Sequence, residues 1–411
     1  MPRVLFIGSG IPWRGGAGYL VRQNLFLSAL AQVAELHLAM FDCPADAKPD
    51  FAKSLTSLVS PKRRPESWIR RLKEDLFGTE PRMIRGYDMS EPRRQVEGLD
   101  PLGFDAVFAY RIDFAYFAGV LDHPRLILDI DDPEHVRGMR RLKAAGAASN
   151  GQAAEQGGSD RSAPDRRTPD RRTLADLTKL RDFERQSVAK AKLAFVCQEN
   201  DRNGWNTLPE VVPNCVQVPV DPVRRVGKPI VLFVGNCAGG ESSPNVNALR
   251  YFLGDIWPKI LQAVPAAEFH VVGSGTEAIQ ATTAGVPGVV WRGFVDDLAE
   301  IYSQSAVSVA PIRFGTGTRI KILEAFAHSC PVVSTLAGAE GIEVIPGRDI
   351  ELAEGAVDFA ARTVSLLRDA SLAERIGQAG YALALLRYDI ATQQHNLAAR
   401  LRQFLRGRAA E

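Results

Sequence analysis

The chain has 411 residues, 45% of them apolar and 24% charged, enough for two or three domains with a sizeable buried core and ordinary for a soluble globular protein. Fifty Lys and Arg against 48 Asp and Glu leave a formal charge of +2, far short of the basic excess that a nucleic-acid backbone demands. No run of 18 uncharged apolar residues exists, and MPRVLFIGSG passes from one Arg directly into a five-residue apolar strand instead of a signal-peptide core; a cytoplasmic location is expected. Cys43, Cys197, Cys215, Cys237 and Cys330 are odd in number and widely spaced, and no H-x-x-x-H occurs, so buried thiols are expected, with no disulfide framework and no protein-held metal.

In chain order, RVLFIG at 3–8 is a short apolar run ending in Gly, the pattern of a strand buried on both faces. A Gly-rich loop, GSGIPWRGGAG at 8–18, and a helix over 18–33 follow, then strands at 36–41, 105–110 and 126–131. Residues 62–85 hold eight Lys or Arg against four acids, with Trp68, Ile69, Leu72, Leu76 and Phe77 on one helical face. Such a helix either packs on the first domain or makes peripheral contact with an anionic membrane. Between Ala144 and Thr173 there is no Val, Ile, Leu, Met, Phe, Trp or Tyr, and PDRRT occurs twice in succession; a disordered insertion at 144–173 is expected.

The opening pattern returns as IVLFVG at 230–235, followed by a helix near 245–263, strands at 269–273, 288–294 and 307–312, a helix over 319–329 and a strand at 331–335. Alternating strands and helices predict parallel sheets with right-handed crossovers. The expected fold class is therefore α/β, with two Rossmann-like, doubly wound domains. The first spans 1–222 and the second 226–388, and a C-terminal helix over 389–411 crosses back to the first domain.

Ligands of open α/β sheets collect beyond the carboxyl ends of the strands, where helix N-termini present N–H groups to anions. The loop at 8–18 is neither G-x-G-x-x-G nor a P-loop, which makes dinucleotide-dependent dehydrogenase chemistry a poor reading. PIRFGTGTRIKILEAFAHSCPVVST at 311–335 carries more information: a strand end, a turn with Gly315 and Gly317, then a helix start flanked by Arg319 and Lys321. Two cations beside the positive end of a helix suit a diphosphate. Glu324 follows on the helical face of Lys321, placed to bond a sugar hydroxyl.

These motifs, with VLFVGN and PNVNALRYF, HVVGSG, WRGFVDDLAEIY and AGAEGIEV in order and spacing, make the second half similar to the GT-B glycosyltransferases of group 1, family 4. The first half resembles them more loosely, through its first strand and Gly loop and VPN at 212–214. The resemblance implies two domains facing a cleft and metal-independent, retaining transfer of a sugar from a nucleotide diphosphate donor to a glycan or lipid-linked acceptor, without a further cofactor. Surface or extracellular polysaccharide synthesis is the expected setting. Carried over by motif, Arg319 and Lys321 hold the diphosphate with the N–H groups of Gly317 and Thr318 and the Gly15–Gly16 loop. Glu324 binds the ribose, while Phe294, Val295, Gly273 and Gly275 lie near the base. Two places in the second half depart from the family pattern: Thr316 stands where many relatives have a Glu, and Ser243, Pro244 and Asn245 occupy the region of a usual Lys. Asp131 replaces a sugar-contacting His; it or Asp132 orients an acceptor hydroxyl or caps the helix that follows. A GT-B nucleotide-sugar epimerase and a non-catalytic nucleotide-sugar-binding partner protein are the alternatives.

Overall fold

A computed structural model describes residues 1–14, 18–63, 78–140, 142, 171–222, 227–238, 240, 243–315 and 317–407. The chain forms two compact units, Met1–Pro213 with Gln393–Glu411, and Asn214–Thr392.

The first unit is built on a seven-stranded parallel sheet. Its strands are β1 (Arg3–Ser9), β2 (Glu35–Phe41), β3 (Ala52–Leu58), β6 (Ala106–Tyr110), β7 (Leu126–Asp131), β8 (Leu193–Val196) and β9 (Glu210–Val211), while β4 (Lys62–Arg63) and β5 (Tyr87–Asp88) pair separately as an antiparallel hairpin. The order is β3-β2-β1-β6-β7-β8-β9, so the chain reverses direction across the sheet between β1 and β6. Alternation along β1 serves two faces. Leu5 and Ile7 enter one core with Val107, Ala109 and Leu128, and Phe6 stacks on Phe108 on the other face, at 4.7 Å between ring centres. A run with no polar interruption is what a sheet covered on both sides requires.

The second unit repeats the plan with β10 (Ile230–Val234), β11 (Glu268–Val272), β12 (Val289–Gly293), β13 (Val307–Ala310), β14 (Val332–Ser334) and β15 (Glu351–Leu352), in the order β12-β11-β10-β13-β14-β15. Its strands are again all parallel. Val231 and Phe233 of β10 face a core with Phe252, Trp257 and Phe269. Leu232 faces the opposite core with Ile322, Phe326 and Tyr388.

Four features differ from the sequence expectation. The unit boundary falls between Pro213 and Asn214, not at 222, because Val216 bonds to the backbone of Tyr388 and Ile390 inside the second unit. That unit runs to Thr392 instead of 388, and the helix Ile390–Arg406 continues into the first unit. There Arg400 forks onto Glu210 at 2.6–2.9 Å, and Arg125 Nη2 donates to Phe404 O at 2.7 Å.

The helix near 245–263 is interrupted by a π-helical turn at Phe252–Ile256, since Pro258 has no N–H to donate to the carbonyl of Gly254. The insertion is also shorter at its end than the composition suggests. Residues 171–173 open the 20-residue helix Arg171–Lys190, whose Leu180 and Val188 are buried and anchor the helix beyond the apolar-free stretch. Residues 144–170, the rest of the insertion, and 64–77 of the basic stretch lie outside the described residues. The five cysteines are buried, and none is joined in a disulfide. No described helix is long and apolar enough to cross a membrane.

Candidate active site

The second unit gathers polar groups at the carboxyl ends of β10, β11 and β13. After β10, Gly235 N–H donates to Val272 O and Cys237 N–H to Ser274 O, at 2.9 and 2.7 Å, which binds the loop after β10 to the loop after β11. Contact this close requires glycine at 273. Its φ is +137°, and a Cβ there would lie 1.9 Å from Gly235 O. At Gly275, φ +73°, a Cβ would lie 2.4 Å from the backbone N of Ala238. The HVVGSG motif is thus a backbone clasp.

Lys321, on the first turn of the helix Ile320–Ala327, reaches back to this clasp. Its Nζ donates to Asn245 Oδ1 at 2.8 Å and lies 4.3 Å from the centre of the Phe233 ring, and Asn245 Nδ2 in turn donates to Asn236 O at 2.8 Å. Lys321 makes no ion pair with a carboxylate among the described residues. Burial first, and the Arg319 guanidinium next, push its ammonium down to about 7: a cation in a site already positive is costly to hold charged without an anion.

Arg319 occupies the position just before that helix. Its guanidinium folds over Gly315, whose φ is +124° and where a Cβ would lie 2.8 Å from Arg319 Nη2; a larger residue there would displace the cation. Gly317, also left-handed at φ +80°, completes the turn. Thr318 Oγ1 is buried with no hydrogen-bond partner among the described residues. The first N–H groups of a helix have no partner within it and carry the positive end of its dipole. Two cations, a hydroxyl and a helix N-terminus therefore converge on one spot.

Glu324 lies one turn further on. Burial raises its pKa, against the pull of Lys321 and of a hydrogen bond from Tyr302. Phe294, after β12, is 71% exposed, an open aromatic face at the sheet edge, whereas Val295 packs into the core beside Leu298 and Ile301. Gly15, Gly16 and Thr316 lie outside the described residues.

In the first unit Asp131 ends β7 at φ +60°, where the pairing with β8 slips by one residue. It accepts a hydrogen bond from Tyr110 Oη at 3.0 Å and lies 3.5 Å from Arg22 Nε. Arg22 is itself buried, bidentate to Asp129 at 2.6 and 2.8 Å, and donates to Val212 O. Asp132 accepts from the Cys197 thiol at 3.0 Å. The capping alternative for this acidic pair fails: the helix over 134–140 receives its N-terminal bonds from Glu184, which accepts from Glu134 N–H at 2.8 Å and His135 N–H at 3.3 Å.

Sequence reasoning brought out Arg319, Lys321 and Glu324, and the structure places Lys321 and Glu324 on one helix with Arg319 at its N-cap. It did not single out Arg22, Tyr110 or Tyr302, which act through long-range contacts. Asn245 was noted only as standing where another residue is usual, yet it is what holds Lys321.

Residues 228–369 match the family described as Glycosyl transferases group 1. The whole chain is similar in fold to sucrose-phosphate synthase from Thermosynechococcus elongatus, with 16% identity, 99% of this chain and 100% of that one covered, and a TM-score of 0.64. It is likewise similar to the Anabaena protein HepE, solved with UDP and glucose, at 13% identity, 98% and 99% coverage and a TM-score of 0.59. The fold is of the GT-B class, and the match to the group 1 glycosyltransferases covers residues 228–369. Among curated sequences, a Klebsiella pneumoniae protein described as an uncharacterized 44.6 kDa protein in the cps region is 23% identical over 167 residues. That match spans 39% of this chain and 42% of the relative.

Proposed function

We propose that the protein transfers a sugar from a nucleotide diphosphate sugar to a glycan or lipid-linked acceptor, with retention of anomeric configuration. The observation that carries this reading is the convergence of Arg319, Lys321 and the buried Thr318 hydroxyl on the N-terminus of the helix Ile320–Ala327. As the bond from the anomeric carbon to the diphosphate breaks, its electron pair moves to the phosphate oxygen, and preorganised cations and N–H dipoles stabilise that charge. The acceptor oxygen bonds to the anomeric carbon from the face the leaving group departs, and its proton goes to the same phosphate oxygen. Glu324 holds the ribose, with Phe294 beside the base. Asp131, oriented by Tyr110 and Arg22, positions the acceptor hydroxyl. The cations take the part a metal would otherwise play, so no cofactor enters the scheme.

The relative from a cps region favours surface polysaccharide as the product, and HepE, solved with UDP and glucose, favours a UDP-sugar donor. Peripheral membrane contact through 62–85 rests on the sequence alone, and co-sedimentation with anionic vesicles at low and high salt tests it. The central experiment is a thermal-shift screen of the full chain against UDP-, GDP- and ADP-sugars, because a ligand bound only by the folded state raises its stability. One nucleotide class is expected to raise Tm in the native chain and not in Arg319→Ala. Donor binding with no transfer to any acceptor would replace the enzyme by a non-catalytic binding partner, and no donor binding would remove the reading altogether.

A further inference from the structure

The segment PNVN at 244–247 opens the helix Pro244–Tyr251, which packs against the turn carrying Arg319 on either side of that residue. Pro244 takes the first helical position, where its missing N–H costs nothing. Side chains on a helix lean toward its N-terminus, which carries Asn245 back toward the loop after β10. Three contacts follow along the helix. A Cβ on Gly315 would lie 3.0 Å from Pro244 Cγ, so the turn rests on the proline ring. Lys321 Nζ donates to Asn245 Oδ1 at 2.8 Å. Arg313 Nε donates to Asn247 Oδ1 at 2.9 Å, and its guanidinium carbon lies 4.6 Å from the centre of the Tyr251 ring.

The Asn245 amide has one orientation open to it. An ammonium only donates and a backbone carbonyl only accepts, so Oδ1 faces Lys321 and Nδ2 faces Asn236 O, each at 2.8 Å. Lys321 is confined as well. A Cβ on Gly235 would lie 2.9 Å from Nζ, 3.0 Å from Phe233 Cε1 and 3.1 Å from Asn245 Cγ, so ammonium, ring and amide fill the space that the glycine leaves. Asn245 takes one of the ammonium protons, and Nζ makes no other hydrogen bond among the described residues.

Charge is what separates this amide from a carboxylate of the same shape. The titratable and charged groups facing Nζ are Arg319 ahead of the helix Ile320–Ala327, Glu324 on it, and Cys237 from the loop after β10. Burial first and Arg319 next hold the proton affinity of the amine down, against Cys237 and Glu324. Asn245→Asp would put a carboxylate at hydrogen-bond distance, hold the proton on the amine and cancel its charge. Asparagine fixes the amine in place and cancels nothing.

We infer that Asn245 is the positioning residue of the diphosphate site, aiming the Lys321 ammonium while leaving its charge for the ligand. The ligand is the donor diphosphate of the sugar-transfer reading, on which this part rests.

The test joins calorimetry and NMR on the full chain. Uridine, guanosine and adenosine diphosphates are titrated into the native chain, Asn245→Asp and Asn245→Ala at pH 6 and pH 8.5, on either side of the value of about 7 to which Lys321 is pushed. The Lys321 amine is followed in each through lysine labelled with carbon-13 at Cε, its signal assigned by its loss in Lys321→Met. At least one nucleotide is expected to bind the native chain, more tightly at the lower pH. Asn245→Asp is expected to weaken that nucleotide about tenfold at the lower pH, to remove most of the pH dependence, and to raise the midpoint of the Lys321 titration. Asn245→Ala loses the same bond to Asn236 O without adding charge, so it is expected to weaken the nucleotide and keep the pH dependence. A brace with no electrostatic part would weaken binding in both variants and leave both pH profiles native. That result, a Lys321 midpoint unmoved in Asn245→Asp, or a nucleotide that binds the native chain and Asn245→Asp alike would overturn the role of Asn245 alone. Failure of every nucleotide to bind the native chain would overturn the donor reading and this role together.

Discussion

The two units share a strand order and treat their cations in opposite ways. At the carboxyl edge of the first, Arg22 is locked to Asp129 and close to Asp131, and Arg111 is clamped by Asp113 and Glu134. At the same edge of the second, Lys321 is held by an amide oxygen and an aromatic face, and Arg319 adds positive charge beside it. A paired cation is structural. A cation held by neutral groups keeps its charge available to an incoming anion, at the cost of a lowered proton affinity. One architecture thereby supplies two edges of different chemistry, and the difference lies in a few side chains.

The contrast is broken most severely at Arg22. Arg22→Met leaves Asp129 buried without its partner and should destabilise the first unit by about 3–5 kcal/mol, read as a fall in the urea midpoint by circular dichroism. Restoring neutrality with Asp129→Asn in the same chain should recover part of that loss. Next comes the proposed diphosphate site: Arg319→Ala and Lys321→Ala should each lower kcat/KM for transfer on the order of 10²-fold or more while leaving the urea midpoint near the native value. Unchanged transfer in both would sink the assignment of the site.

Asp131→Asn keeps the Tyr110 bond and removes the charge; transfer is expected to fall roughly tenfold, within the general range for a positioning or proton-accepting group, with the nucleotide-sugar thermal shift unaltered. A parallel loss of the donor shift would show that Asp131 acts on the fold instead. The smallest effect is one of pH. Lys321 has a folded pKa of about 7, below the ordinary lysine value near 10.4, so between those limits the unfolded chain binds the extra proton and stability rises with pH. Donor binding runs the other way, because a diphosphate favours the protonated amine, so affinity for a nucleotide sugar should weaken from pH 6 to pH 8.5. Lys321→Met should flatten both slopes, and slopes that persist in it belong to other groups.

Much of the site in the second unit was legible because its parts are close in the chain. Gly315, Gly317, Thr318, Arg319, Lys321 and Glu324 span one turn and the start of one helix, and local sequence sets both conformation and facing. The strand β3 was not, since AKSLTSL shows little of the apolar continuity of its neighbours, and it is recruited to the sheet edge by pairing with β2. Asp131 illustrates the middle ground. The sequence placed it at a strand end, but what removes the capping reading is Glu184, fifty residues from Glu134.

The sequence by itself determined two doubly wound α/β halves, their strand runs, and a cationic helix start suited to a diphosphate, because hydrophobic periodicity and turn chemistry are local properties. Only the tertiary structure decided which charges are already spent. Whether Arg22 or Lys321 meets a carboxylate or an amide depends on residues 107 and 76 positions away, and electrostatic pairing follows distance in space, to which the order of the chain is indifferent.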